Sequence, residues 1–117
     1  MFRVIIAGTR TFDDYSLLRS YADYKLSKIE DSIEIVSGGA RGADALGERY
    51  AREKGYALRV FPAEWAQYGR KAGILRNRAM AEYADALLAY WDGESKGTKN
   101  MIEEAKERGL KVGIKLY

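Results

Sequence analysis

The sequence predicts a single α/β domain, 1–117, built as a doubly wound, three-layer sandwich. Three observations carry this. Short, mostly apolar runs alternate with segments of helical spacing; the turns between them carry helix punctuation; and the glycines gather where strands end. A chain of 117 residues is one domain by size.

Five apolar runs, at 2–7, 33–36, 58–61, 86–90 and 112–116, read as strands. Strands apolar at consecutive positions are covered on both faces, as in a parallel sheet. Between them, Leu18, Ala22 and Ile29 share one face of a first helix, and Leu46 and Tyr50 mark a second. Ala72, Arg76 and Met80 form a stripe on a third, with Leu75, Ala79 and Tyr83 beside it. Thr98, Met101, Ile102 and Ala105 line a fourth. Asp13 and Asp14 stand where an N-cap belongs, and Gly55 and Gly109 where helices end in a left-handed residue. The longest connection, 62–70, holds Trp65, Tyr68 and the only proline. Right-handed crossovers turn this alternation into a Rossmann-like five-stranded parallel sheet of order 3-2-1-4-5, with helices on both faces. That order sets the loop after the first strand between those after the second and fourth.

Composition narrows the chemistry. The chain has no cysteine and no histidine, which excludes disulfides, thiolate catalysis, histidine-based triads and the usual zinc sites. No metal and no cofactor is expected. No apolar run approaches the roughly 20 residues that span a bilayer, and the start reads as a first strand, not a signal peptide. A cytoplasmic protein without a membrane partner is expected. The net charge of +3 fits an anionic ligand, without the dense basic stripe of a DNA-binding surface.

The glycines point to where such a ligand would sit. Gly8, Thr9 and Arg10 follow the first strand; Ser37, Gly38, Gly39, Ala40, Arg41, Gly42 and Asp44 follow the second; Trp91, Asp92, Gly93, Ser95, Gly97 and Thr98 follow the fourth. In a parallel sheet all three segments lie on the carboxyl edge, where ligands bind at the reversal of strand order. Glycines admit close backbone approach, and amides at a helix N-terminus favour an anion. The segments 38–42 and 93–98 are therefore candidate phosphate cradles, with Gly39, Arg41 and Gly97 expected to converge and Ser37, Ser95 and Thr98 adding hydroxyls. Neither G-x-G-x-x-G nor a Walker A motif is present.

Several residues keep two readings. Arg76, with Asn77, either contacts a phosphate or ribose or forms an internal salt bridge; its helix is expected to point its amino end away from the ligand edge. Asp44 is either a first-turn carboxylate favoured by the helix dipole or an acceptor for a ribose hydroxyl. Trp91 either stacks on a base or packs, and Trp65 and Tyr68 either form a lid or pack. Without histidine, the available general bases are Asp44, Asp92 and Glu64. Arg76, Asp92 and Glu64 are the catalytic candidates.

The motifs G-T-R-T-F, S-G-G-A-R-G-A-D, P-A-x-W with A-G-x-x-R-N, and W-D-G-x-S-x-G-T occur in this order from Ile6 to Ala105. Together they resemble the YspA/YpsA-related branch of the SLOG superfamily, which also holds the Lonely Guy phosphoribohydrolases, DprA and sensors of NAD-derived nucleotides. The resemblance implies a first phosphate loop at Ser37, Gly38, Gly39 and Gly42. It implies a second at Gly97-Thr98, and an Arg76 that works at the ribosyl centre. The hydrolases carry a glutamate two or three residues beyond the G-T pair, where this chain has Asn100 and Met101. The expected function is therefore binding of a nucleotide, or of a small molecule derived from NAD or ADP-ribose, as sensor or sequesterer, by a homo-oligomer. The alternatives are a nucleotide-processing N-glycosidase and, less favoured, DprA-like DNA binding. A nucleic-acid partner is not expected.

Overall fold

The computed structural model describes residues 1–117. Its elements are β1 (Phe2–Gly8), α1 (Tyr15–Leu26), β2 (Ile33–Ser37), α2 (Ala43–Lys54), β3 (Ala57–Val60), α3 (Trp65–Tyr68), α4 (Ala72–Tyr83), β4 (Ala86–Trp91), α5 (Lys96–Glu107) and β5 (Lys111–Leu116). Every strand pair is parallel, and the sheet order is β3-β2-β1-β4-β5, as the sequence predicts.

The period-two alternation of strand side chains divides the core. Val4, Ile6, Ile33, Ile35, Leu88 and Tyr90 pack under α1 and α2. Ile5, Ala7, Val36, Leu87 and Ala89 pack under α4 and α5. Neighbours in β1 thus serve opposite layers, which is why Val4–Ala7 is apolar at every position. Two tyrosine hydroxyls tie the first layer to its helices: Tyr90 donates to the Leu18 carbonyl at 2.9 Å, and Tyr50 to Asp23 at 2.7 Å.

Three local expectations change. The helix from Tyr15, capped by Asp14 accepting from the Leu17 amide at 3.0 Å, ends at Leu26, so Ile29 lies beyond it and packs against the core from the following turn. The third strand is not covered on both faces: β3 pairs on one side only, and Val60 is 42% exposed. The connection 62–70 is not an open loop. It contains α3 and a 3₁₀ turn at Gly69–Lys71 that runs into α4.

Layer spacing depends on Gly47. A Cβ there would stand 2.7 Å from Cγ2 of the fully buried Ile6, so α2 lies directly on β1. Overpacking of this kind typically costs about 1–3 kcal/mol. Gly47→Val is expected to lower stability by that amount in a urea titration; unchanged stability would show that the α2–β1 contact yields freely.

Candidate functional site

The crevice lies where strand order reverses, between the ends of β1 and β4, because α1 leaves β1 on one face and α5 leaves β4 on the other. Thr9 joins the loops around it. Its amide donates to the Tyr90 carbonyl at 3.0 Å, its carbonyl accepts from the Ala43 amide at 3.3 Å, and its hydroxyl accepts from the Asp92 amide at 3.3 Å. Gly8 permits the approach: a Cβ there would lie 2.1 Å from the Tyr90 oxygen.

A cavity of about 290 Å³ opens above this junction. Its floor is apolar, from Ala7, Met80 and Met101, and its walls carry Gly8, Thr9, Arg10, Ala40, Asp44, Arg76, Asn77, Ser95, Gly97 and Thr98. One wall is the first turn of α5. Ser95 caps it, its Oγ accepting from the Thr98 amide at 3.4 Å and lying 3.1 Å from Thr98 Oγ1. The amides of Glu94 and Ser95 are taken by Asp92 Oδ1, both at 2.9 Å. The amides of Lys96 and Gly97 have no internal acceptor. A Cβ at Gly97 would meet nothing within 4 Å, so the missing side chain keeps this wall open. Unpaired amides at the positive end of a twelve-residue helix favour an anion.

The opposite wall is built differently. Asp44, in the first turn of α2, is 5% exposed, and its Oδ2 accepts from the Ala40 amide at 3.2 Å. The Gly39 amide is taken by Ser37 Oγ at 3.1 Å. The 38–42 segment therefore spends these two amides internally, and the positive end of α2 holds a carboxylate of its own chain. Arg76 faces this group across Gly38. Its Nη1 donates to the Gly38 carbonyl at 2.5 Å and its Nε to Asn77 Oδ1 at 3.0 Å. A Cβ on Gly38 would lie 2.7 Å from Arg76 Nη1 and 2.8 Å from Asp44 Oδ2. Glycine here is the space into which both charged groups fit. Burial raises the Asp44 carboxyl to about 6, against the pull of the Ala40 amide and the Arg76 charge.

The amino half of α4 lies at the ligand edge and not away from it, because a helix entered from the carboxyl end of a strand starts on that edge. Asn77 bridges to the other wall, donating to Asn100 Oδ1 at 2.9 Å and to the Gly97 carbonyl at 3.3 Å. A second cavity of about 340 Å³ adjoins the first and shares Arg10, Ala40 and Arg76 with it; Gly38, Gly39 and Arg41 line it. Gly39 and Arg41 thus converge with Gly97 only across a shared wall.

Six expected site residues stand elsewhere. Ser37 is fully buried and donates to Glu48 Oε2 at 2.7 Å, so its hydroxyl shapes the loop and is not offered to the crevice. Gly42, at φ 78°, lets its backbone meet the Arg10 carbonyl, which a Cβ would approach to 2.5 Å. Trp91 donates its indole N–H to the Ser95 carbonyl at 3.1 Å and packs on the α4–α5 core. Asp92 is a loop cap, and the amides of Glu94 and Ser95 hold its carboxyl below the usual range, unlike a general base. Gly93, at φ 85°, serves that turn. Glu64 borders a third hollow with Arg59 and Tyr68, which shares Pro62 and Arg76 with the second cavity and does not open on the first. Sequence reading missed Glu48, whose tie to Ser37 spans eleven positions without a motif. It also missed Met101 as cavity floor, although its place on the last helix's apolar stripe was visible. No three His, Cys, Asp or Glu side chains come together as a metal-holding group, and no helix is long and apolar enough to cross a membrane.

The Asp44 carboxyl carries a stability cost. Its folded pKa of about 6 lies above the ordinary 3.8, so the folded chain holds a proton that the unfolded chain has released between these values. Stability therefore falls as pH rises through this window and stays reduced above it, by about 3 kcal/mol at 1.36 kcal/mol per pKa unit. Asp44→Asn, which retains an acceptor for Ala40, is expected to raise the melting temperature by several degrees at pH 7.5 and by nothing near pH 4. An equal gain at both pH values, or a loss at 7.5, would contradict this account.

The comparisons with known proteins agree with the fold. Residues 2–68 match the YspA, cpYpsA-related SLOG family. The Gene 61 protein of Mycobacterium phage D29 is 36% identical over 118 residues, covering 96% of this chain and 94% of the phage protein. Among solved structures, DNA processing protein A (DprA) from Streptococcus pneumoniae superposes with a TM-score of 0.73 at 17% identity over 97% of this chain. This chain spans about half of DprA, 49%. The structural-genomics target TM1055 gives 0.69 at 20% identity, over 96% of this chain and 72% of its own. These two likenesses are of fold. The family match, spanning more than half of the chain, and the phage relative together show that this protein belongs to the YspA, cpYpsA-related SLOG family.

Proposed function

We propose that this chain binds a phosphate-bearing nucleotide, or a small molecule derived from one such as an ADP-ribose derivative, as a sensor or sequesterer. One observation carries the reading. The unpaired amide of Gly97 and the Thr98 side chain line a cavity whose far wall holds Asp44 and Arg76, and the neighbouring Lys96 amide is unpaired as well. A phosphate suits the first wall. A sugar hydroxyl suits the second, because a carboxylate with one amide donor still has lone pairs to fill. Membership of the SLOG family supports a nucleotide-related function.

A second reading, an N-glycosidase, has Asp44 in its favour, since a carboxyl near 6 is tuned for proton transfer at neutral pH. Against it, the position of the hydrolases' glutamate is held by Asn100, whose side-chain oxygen is bound to Asn77, and Glu104 is buried in ion pairs with Arg108 and Arg78. Binding without turnover is therefore the favoured function.

Gly97→Val is the cleanest test. Its Cβ has free space, so the helix survives, while the isopropyl group fills the anion wall. Gly39→Val is a poorer choice, because Gly39 sits at φ 73° with Val60 Cγ1 3.1 Å from a new Cβ. In calorimetric titrations with AMP and ADP-ribose, wild type is expected to bind and Gly97→Val to lose at least tenfold in affinity with its melting temperature retained. Chromatography should return the nucleotides intact. Unchanged affinity in a folded Gly97→Val protein would place the site elsewhere, and release of free base at about 1 s⁻¹ or faster would favour the hydrolase.

A further inference from the structure

Asn77 borders the first cavity, yet its polar atoms are spent within the chain. It is 6% exposed. Its Nδ2 donates to Asn100 Oδ1 at 2.9 Å and to the Gly97 carbonyl at 3.3 Å, and its Oδ1 accepts from Arg76 Nε at 3.0 Å. A side-chain amide has two hydrogens, and both are used. Asn77 therefore has no donor left for a ligand in the cavity that it lines. What remains is a lone pair on Oδ1, which repels an anion.

The two groups that it holds are otherwise loose. A Cβ at Gly97 would meet nothing within 4 Å, so packing does not fix this residue, and glycine has the freest backbone. Asn77 grips the carbonyl of the very residue whose amide lines the cavity. Arg76 is a long side chain with large rotamer freedom. The Gly38 carbonyl holds its Nη1, and Asn77 holds its Nε, so the guanidinium is pinned at two points beside Asp44. Gly38, Arg76, Asn77 and Gly97 thus form one hydrogen-bonded chain from the turn before α2 to the first turn of α5. In such a chain each bond polarises the next.

We infer that Asn77 is a positioning residue for the anion. It sets the first turn of α5 and the Arg76 guanidinium as one unit, and it does not touch the ligand. This inference rests on the phosphate site proposed at α5. Asn100 gives access to it. Asn100 lines neither cavity, and its link to the site runs through Asn77. The two roles open to Asn77 predict opposite effects of cutting that link. Were Asn77 a ligand contact, a freed hydrogen would spare or strengthen binding. As a positioning residue it loses its anchor, and binding weakens.

The experiment titrates AMP by calorimetry into wild type, Asn100→Ala, Asn77→Leu and Gly97→Val, with melting temperatures recorded. NMR of the labelled protein follows the Arg76 Nε–H and the Gly97 amide in the same titration. In wild type both resonances are expected to move along one saturation curve. Asn100→Ala should weaken AMP about fivefold, the usual scale of one lost hydrogen bond, and Asn77→Leu about tenfold or more. In Asn77→Leu the Arg76 resonance should no longer follow the Gly97 amide, an uncoupling that a merely structural amide would not produce. Asn100 is half-buried, so its alanine variant keeps the test if Asn77→Leu does not fold. AMP affinity within about twofold of wild type, or tighter, in folded Asn100→Ala overturns the positioning role. An Arg76 resonance that still follows Gly97 in Asn77→Leu overturns it too. The α5 phosphate reading survives either result if Gly97→Val still loses AMP, whereas failure of wild type to bind AMP overturns both.

Discussion

Thr9 fastens together the three strands' ends that make the crevice. Its amide, carbonyl and hydroxyl each hold a different segment: the end of β4, the start of α2 and the loop leading to α5. The residue before it must be glycine, because β1 and β4 close to within 2.1 Å of where a Cβ would lie. These bonds fix the separation of the α2 and α5 N-termini. That separation is the width of the first cavity, and the positions of Arg76 and Asn77 follow from it, since each reaches across to a backbone carbonyl of a neighbouring loop.

Within that frame two similar helix ends have opposite electrostatic characters. Both follow a glycine-bearing turn, and both carry a helix dipole. At α2 the field acts on a carboxylate of the same chain, Asp44, held by the Ala40 amide. At α5 the side-chain cap reaches only Thr98, and the Lys96 and Gly97 amides stay free, as the Asp44 and Ala45 amides do at α2; the difference is that only α2 sets a buried carboxylate into the cavity wall. The crevice thus has an acceptor wall and a donor wall, suited to a ligand with a hydroxyl at one end and an anion at the other. Keeping a buried Asp44 ionised destabilises the fold near neutral pH. Such a group is expected where function, and not packing, sets the residue.

Much of this was legible in the sequence. Alternating apolar periods gave the layered parallel sheet, because a run such as Val4-Ile5-Ile6-Ala7 can be satisfied only between two helical layers, and the need for three loops to meet at one edge gave its order. Glycine placement located the edge, and Gly97, Thr98, Arg76 and Asn77 stand at the cavity. What could not be read depends on partners distant in sequence. Ser37 looks like a ligand donor until Glu48 is seen beside it, and Asp92 like a base until the loop folds back onto it. Trp91 is withdrawn by its bond to Ser95. The 38–42 segment has the composition of a phosphate cradle. Only the fold shows that Ser37 and Asp44 already occupy two of its amides.

The central claim is that the anion belongs to α5 and not to the glycine-rich turn before α2. An amide-resolved NMR titration of the labelled protein with AMP tests it directly. The account predicts that the Lys96, Gly97 and Thr98 amides shift most and saturate together, with Gly39 and Ala40 nearly still. Dominant, saturating shifts at Gly39 and Ala40, with the α5 amides unmoved, would contradict it.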